Sequence, residues 1–212
     1  MKYIVNTIFF DLAQNDIVLF FYYPLMRIPL WISNRHVHLS QIDCDKLFGK
    51  GYEIKEFKAI SQPGQFAAEE LVTLVGEKGK IENVRVVGPN RKATQVEISN
   101  WDTFVLWVNA PVRISWDLKD AWYIKIVWPV GEVYGPFAII SQRHLHCTIK
   151  EAEEMWIKNG SMVKMYVPGE RAVVFENVVV RAKDNYALDF HIDIDEANAA
   201  WAKPGDWAEI IK

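Results

Sequence analysis

Residues 32–40 read ISNRHVHLS, and residues 140–148, 108 positions further on, read ISQRHLHCT. Ile, Ser, Arg, His, x, His is common to both, so the chain carries an internal duplication. Residues 82–86, ENVRV, recur as ENVVV at 176–180, now displaced by 94. The change of offset implies about fourteen extra residues in the first copy, placed in the polar stretch SQPGQ at 61–65. Carrying the offset of 94 forward aligns QVEIS at 95–99 with DFHID at 189–193, which makes Glu97 and His191 equivalent. Each half then contributes one HxH pair and one later ligand-capable side chain.

The residues around these motifs predict strands. Residues 72–75, 83–87, 94–99, 123–128, 163–167, 172–181 and 187–192 are rich in Val, Ile and aromatics and are bounded by Gly, Pro or Asn. Helical signals are few. Residues 40–49 and 148–156 open on Ser or Thr with an acidic residue three positions on, which predicts a short N-capped helix after each HxH. The expected fold is mainly β: two related β-barrel domains, with short capping helices. The expected division is an N-terminal segment at 1–24, a first half at 25–120 and a second half at 121–212.

The composition bounds the function. At about 150 residues per domain, 212 residues permit one large domain or two small ones. A net charge of -3 with 24% charged residues gives no basic footprint for nucleic acid. Cys44 and Cys147 are the only cysteines, too few for a secreted disulfide scaffold, and cytosolic folding is the default. Cys147 adjoins His146, but Leu39 is its counterpart, so a small buried hydrophobe is expected there. Asp11, Asp16, Pro24, Arg27 and Pro29 interrupt the apolar N-terminus, disfavouring a membrane span and a secretory signal. Ile4, Ile8 and Leu12 place an amphipathic helix over residues 3–20.

Five histidines in 212 residues give roughly 0.1 HxH pairs by chance. Two are present, and no histidine lies outside the duplicated pattern. On a strand, residues i and i+2 share a face, so His36 with His38 and His144 with His146 each present two imidazoles side by side. A lone pair of this kind commonly faces solvent. The equivalence of Glu97 and His191 instead points to metal: imidazole nitrogen plus a carboxylate suits zinc or a neighbouring transition metal. Six ligands shared between two ions would leave an open position for substrate. No nucleophile elbow, P-loop or dinucleotide fingerprint is present. Arg35, Arg91, Arg113 and Arg143 lie near these ligands in sequence, and arginine suits bidentate phosphate binding.

With these motifs in place the chain resembles the PduL-type phosphate propanoyltransferases, phosphotransacylases associated with bacterial microcompartments. The resemblance spans about residues 25–200. It rests on ISNRHVHLS, SQPGQFAAEE at 61–70, KIENVRVVGPNRKATQVEIS at 80–99, QRHLH at 142–146 and NYALDFHIDIDEANAA at 185–200. It implies transfer of a propanoyl or acetyl group between coenzyme A and inorganic phosphate, with two zinc ions between barrels that exchange strands. His36 and His38 would hold one zinc; Glu97, His144, His146 and His191 would hold the other. Arg91 matches the arginine expected to hold phosphate, and Ser33, Lys58, Arg85 and Asn198 match coenzyme-contacting positions. The implied setting is cytoplasmic, inside a microcompartment for propanediol degradation. The implied partners are microcompartment shell or core proteins and a second copy of the chain in a homo-oligomer. One departure stands out. Trp31, Trp107, Trp116, Trp122, Trp128 and Trp156 occupy positions where the resemblance implies glycine, which often marks positive φ or a close backbone approach. Trp116 follows Arg113 and Ser115 in a stretch resembling an active-site loop.

Two rival readings are a cupin-type metal enzyme and a non-catalytic, zinc-stabilised scaffold. In the first the carboxylate follows the HxH within a few residues, whereas 59 positions separate His38 from Glu97. The second would use the N-terminal segment only for docking.

Overall fold

The computed structural model describes residues 26–211 together with two short segments before them. These are β1 (Phe9–Phe10) and β2 (Ile17–Val18), which pair antiparallel. Apart from those four extended residues, the helix expected over 3–20 lies outside the described residues. The chain continues through β3 (Ile28–Ser33), β4 (His36–His38), α1 (Gln41–Phe48), β5 (Glu56–Ala59), β6 (Phe66–Val75) and β7 (Lys80–Gly88). Next come β8 (Gln95–Ile98), α2 (Asn100–Leu106), β9 (Val112–Arg113), β10 (Trp122–Trp128) and β11 (Gly131–Ser141). The last elements are β12 (His144–Cys147), α3 (Ile149–Glu154), β13 (Met162–Val167), β14 (Val173–Ala182), β15 (Asp189–Asp193), α4 (Ile194–Ala200) and β16 (Trp207–Ile211).

The strands close into two six-stranded barrels. One runs β4-β7-β6-β10-β11-β8 and back to β4, with β5 and β9 outside the ring. The other runs β12-β14-β13-β16-β3-β15 and back to β12. Step for step the two rings agree: the first and fifth pairings are parallel and the remaining four antiparallel. Asn83 and Asn177, 94 positions apart, take the same left-handed conformation with φ of 59° and 56°. The duplication is therefore visible in backbone detail.

The rings are not cut along the chain halves. β3, just before HVH, belongs to the second barrel, and the β10–β11 hairpin, just before HLH, belongs to the first. The chain thus crosses from one barrel to the other immediately ahead of each HxH, which puts both motifs at the junction. Within each motif the alternation of a strand does the sorting. Val37 and Leu145 are fully buried in the two cores, leaving the histidines on the opposite face.

Short helices cap the rings. Ser40 and Thr148 N-cap α1 and α3 as their sequences predict. Two further helices, α2 and α4, follow the strands that carry Glu97 and His191, and each begins with a reciprocal capping box, Ser99 with Asp102 and Asp193 with Glu196. Arg35 and Arg143, the residues before the HxH pairs, reach these boxes: Arg35 Nη2 lies 2.7 Å from Asp102, and Arg143 Nε lies 2.7 Å from Glu196. Both arginines are thereby tied to the scaffold. Asp102 is 1% exposed and also takes both bonds of the Arg35 Nε at 2.9 Å. Replacing Asp102 with Ala removes a cap and strands a guanidinium, and should lower stability by about 2–4 kcal/mol. Urea unfolding checks this, and a loss within error of zero would contradict it.

Candidate active site

The site begins with two identical registers. On β4 and β8, His36 stands directly across from Glu97; on β12 and β15, His144 stands directly across from His191. His38 and His146 follow two residues on and point the same way. As a result, ligand-capable atoms of His36, His38 and Glu97 gather within 4.8 Å of one another, and those of His144, His146 and His191 do the same. The structure groups Glu97 with the first pair, where its Oε2 lies 3.7 Å from His36 Nε2. The resemblance had allotted it to the second set.

The imidazoles are set up as ligands. A carbonyl oxygen only accepts, so the Nδ1 atoms that contact carbonyls must carry the hydrogen: His36 to Asn34 at 2.9 Å, His38 to Val87 at 3.0 Å and His144 to Gln142 at 2.8 Å. Each bond leaves the Nε2 lone pair free, the usual tautomer of a metal-bound histidine held from behind. Burial, reinforced by the neighbouring His36, pushes His38 down to about 3. Burial, with His191 beside it, pushes His144 down to about 3, and burial drives His146 lower still. These rings are neutral at pH 7. Burial pushes the Glu97 carboxyl up, but His36, His38 and the Ser115 hydroxyl together outweigh it and hold Glu97 down at about 2. Both nitrogens of buried His146 lack a hydrogen-bond partner, and His191 Nε2 has only the buried Asp189 Oδ2 nearby, at 3.2 Å and out of line for a hydrogen bond. Buried polar atoms are seldom left unmatched, so these residues fit a divalent cation.

Both groups open into one cavity of about 440 Å³ between the barrels. Its wall includes the 61–65 insertion, pinned across the junction by buried Gln62, which donates to the Ala187 carbonyl at 3.1 Å and accepts from the Ala187 N–H at 3.3 Å. Arg91 enters this cavity, held by its own backbone N–H on the Leu39 carbonyl at 2.7 Å. Its Nε and Nη2 are buried without a partner. Arg113 is engaged elsewhere, with Asp120 and the Lys119 carbonyl. Of the four arginines singled out in the sequence, Arg91 is thus the one whose buried N–H groups face the cavity unmatched.

Ser33 and Arg85 also line the cavity, with Arg85 donating to the carbonyls of Ala68 and Glu69. Lys58 does not: it is exposed on β5. Asn198, on α4, lines a separate depression with Pro168 and Trp201. Sequence reasoning missed Gln95 and Ser115, which both donate to Glu97 Oε1, the former at 2.6 Å. It also missed Arg181, Lys183 and Tyr186 on the cavity wall. Gln95 was recoverable from alternation with Glu97 on β8, and Arg181 with Lys183 from alternation against buried Val180 and Ala182. Ser115 and Tyr186 lie in loops, where spacing carries no such signal.

Comparison with known proteins decides the family. Residues 29–203 match the sequence profile of the phosphate propanoyltransferases. The chain is 48% identical over 196 residues to the phosphate propanoyltransferase of Thermotoga maritima, covering 90% of this chain and 93% of that one. It is 46% identical to the Clostridioides difficile enzyme of that name and 45% identical to that of Salmonella typhimurium, covering 87% of this chain and 89% of the relative in each case. The chain belongs to the phosphate propanoyltransferase family. All six metal-ligand candidates and Arg91 fall inside the stretch matched by the family profile.

His146→Ala should abolish binding at its own triad and leave the His36, His38 and Glu97 group able to take up a divalent ion. Metal analysis of the folded protein after equilibration with zinc should find one ion fewer per chain than wild type. An undiminished content would contradict the grouping.

Proposed function

We propose that this protein transfers a propanoyl group between coenzyme A and inorganic phosphate, in the direction propanoyl-CoA + phosphate = propanoyl phosphate + CoA. The observation that carries this reading is the buried, unmatched guanidinium of Arg91 in the same cavity as two histidine-rich clusters, in a member of this family. His36, His38 and Glu97 would hold one zinc, and His144, His146 and His191 the other, with Gln95 and Ser115 fixing the Glu97 carboxylate. When bound, zinc supplies a Lewis acid soft enough to take the thioester sulfur and able to polarise its carbonyl.

The remaining work falls to the chain itself. A phosphate oxygen bonds to the thioester carbonyl carbon, the C–S bond breaks, and the electron pair leaves with the coenzyme thiolate. The reaction brings an anionic nucleophile to a carbonyl that itself becomes negative. Arg91 offers two free N–H donors to that charge from a fixed backbone, which orients phosphate and offsets the repulsion. No protein nucleophile is needed. Cys44 and Cys147 are buried in the barrel cores, and burial pushes the Cys147 thiol up to about 11. Ser33 and Arg85 would meet the coenzyme inside the cavity, while Lys58 and Asn198 could touch it only outside.

A single-barrel centre of the cupin type is opposed by the second cluster, which is all histidine and shares the cavity with the first. The resemblance supports a cytoplasmic location inside a bacterial microcompartment, service in propanediol degradation and a homo-oligomeric state. Microcompartment shell or core proteins are the partners the resemblance implies, and packing of residues 1–24 on their own domain is the alternative to docking there.

Thiol release from propanoyl-CoA should require phosphate, disappear on chelation and return with zinc. Release that proceeds equally without phosphate would overturn the reading. Arg91→Ala should keep its metal and lose about 10²–10³-fold in turnover. Unchanged phosphate kinetics would remove Arg91 from the mechanism.

A further inference from the structure

Seven non-glycine residues among those described have positive φ. Three are Asn83, Asn177 and Asp120, of the two types that tolerate this conformation through short polar side chains. The other four are all tryptophan: Trp107 at 56°, Trp116 at 82°, Trp156 at 59° and Trp201 at 52°. No Phe or Tyr among the described residues joins them. Four of nine tryptophans therefore lie where six of eleven glycines lie. Tryptophan has a Cβ and a bulky ring, and nothing in its chemistry favours a left-handed backbone.

The local structure at each position is one that glycine normally serves. Trp107 and Trp201 are left-handed C-caps that close α2 and α4, with N–H groups returning to Thr103 and to Ala197 and Asn198. Trp156 turns the chain out of α3, its N–H on the Glu153 carbonyl at 3.0 Å. The first copy ends the corresponding helix, α1, on Gly49 at φ 109°. The side chains gain little in return: Trp107 and Trp201 are each 57% exposed and Trp156 78%. Lys78 over Trp107 and Arg171 over Trp201 are surface contacts. Trp207 is the contrast, lying in β16 with the Arg27 guanidinium 4.2 Å above its ring.

Position 116 touches the site. Its N–H donates to Gln95 Oε1 at 2.6 Å, a bond that any residue could make, while its indole lies 5.2 Å from the His38 ring and 5.1 Å from the Arg91 guanidinium. The backbone there is useful to the site and the side chain fills it.

We propose that positions 107, 116, 156 and 201 are glycine in the protein as its own cell makes it, the triplet at each being one that the cell's ribosomes read as glycine. UGA, a stop in the standard code, is read as tryptophan under some codes and as glycine under others. A gene whose UGA triplets are taken as tryptophan shows that residue wherever the cell inserts glycine through them. On this account a glycine at position 116 keeps the bond to Gln95 and clears the space before His38 and Arg91. That consequence rests on the proposed function, whereas the identity of the residues does not.

Peptide mass spectrometry of the protein isolated from its own cells tests this directly. Glycine is expected at all four positions and tryptophan at 207; tryptophan at any of the four overturns the assignment there. The preference of these backbones for glycine is tested with two recombinant chains, one with tryptophan at the four positions and one carrying Trp107→Gly, Trp116→Gly, Trp156→Gly and Trp201→Gly. The glycine chain should melt on the order of 10 °C higher. An equal or lower melting temperature would overturn the claim that these backbones call for glycine.

Discussion

Three buried imidazoles with ring centroids 4.6–4.8 Å apart, two of which (His144 and His146) burial keeps neutral, are the constraint on which the rest of the site depends. Rings packed this way bring ligand-capable nitrogens within 4.8 Å of one another, and buried nitrogens left without a hydrogen-bond partner suit a cation. The first cluster reaches the same end with a carboxylate in place of the third ring, and the held-down Glu97 carboxyl brings a negative charge to it. The two clusters differ in how a carboxylate enters them: Glu97 stands among the ligand candidates of the first, whereas the second is all histidine with buried Asp189 Oδ2 3.2 Å from His191 Nε2.

The strand exchange explains why the clusters meet. Because the chain changes barrels just before each HxH, both motifs are forced to the junction, and the same register on each side presents them to a common cavity. A duplication that left each half as its own barrel would impose no such meeting. Arg35 and Arg143 bind the crossing points to the helix caps next door, so the placement is braced by ion pairs as well as by strand pairing. Gln62 adds a clasp from the insertion that only the first copy has. The asymmetry of the cavity thus follows from the insertion and from the exchange of Glu for His.

Much of this was legible in the sequence because it is periodic. Repeated HxH, alternation within strands and the offset of 94 located the metal-ligand candidates, the N-caps of α1 and α3 and most of the strands. Helices α2 and α4 were missed although Ser99 with Asp102 and Asp193 with Glu196 are capping boxes, since seven-residue helices offer no clear apolar period. β3 and β16 were missed for another reason: they complete barrels begun elsewhere in the chain, and pairing across such distances leaves no local mark. The roles of Arg35 and Arg143 likewise depend on acids far along the chain. Of the left-handed tryptophans, Trp107, Trp116 and Trp156 were readable only as departures from a family resemblance, and Trp201 became visible only through its φ angle.

The central claim is that two metal ions sit in this cavity, one on each cluster. Anomalous diffraction at the zinc edge, from crystals of the protein loaded with zinc, measures that directly. Two peaks are expected in the cavity, one against His36, His38 and Glu97 and one against His144, His146 and His191. A map with no peak at either cluster, or with zinc bound only outside the cavity, would contradict the account.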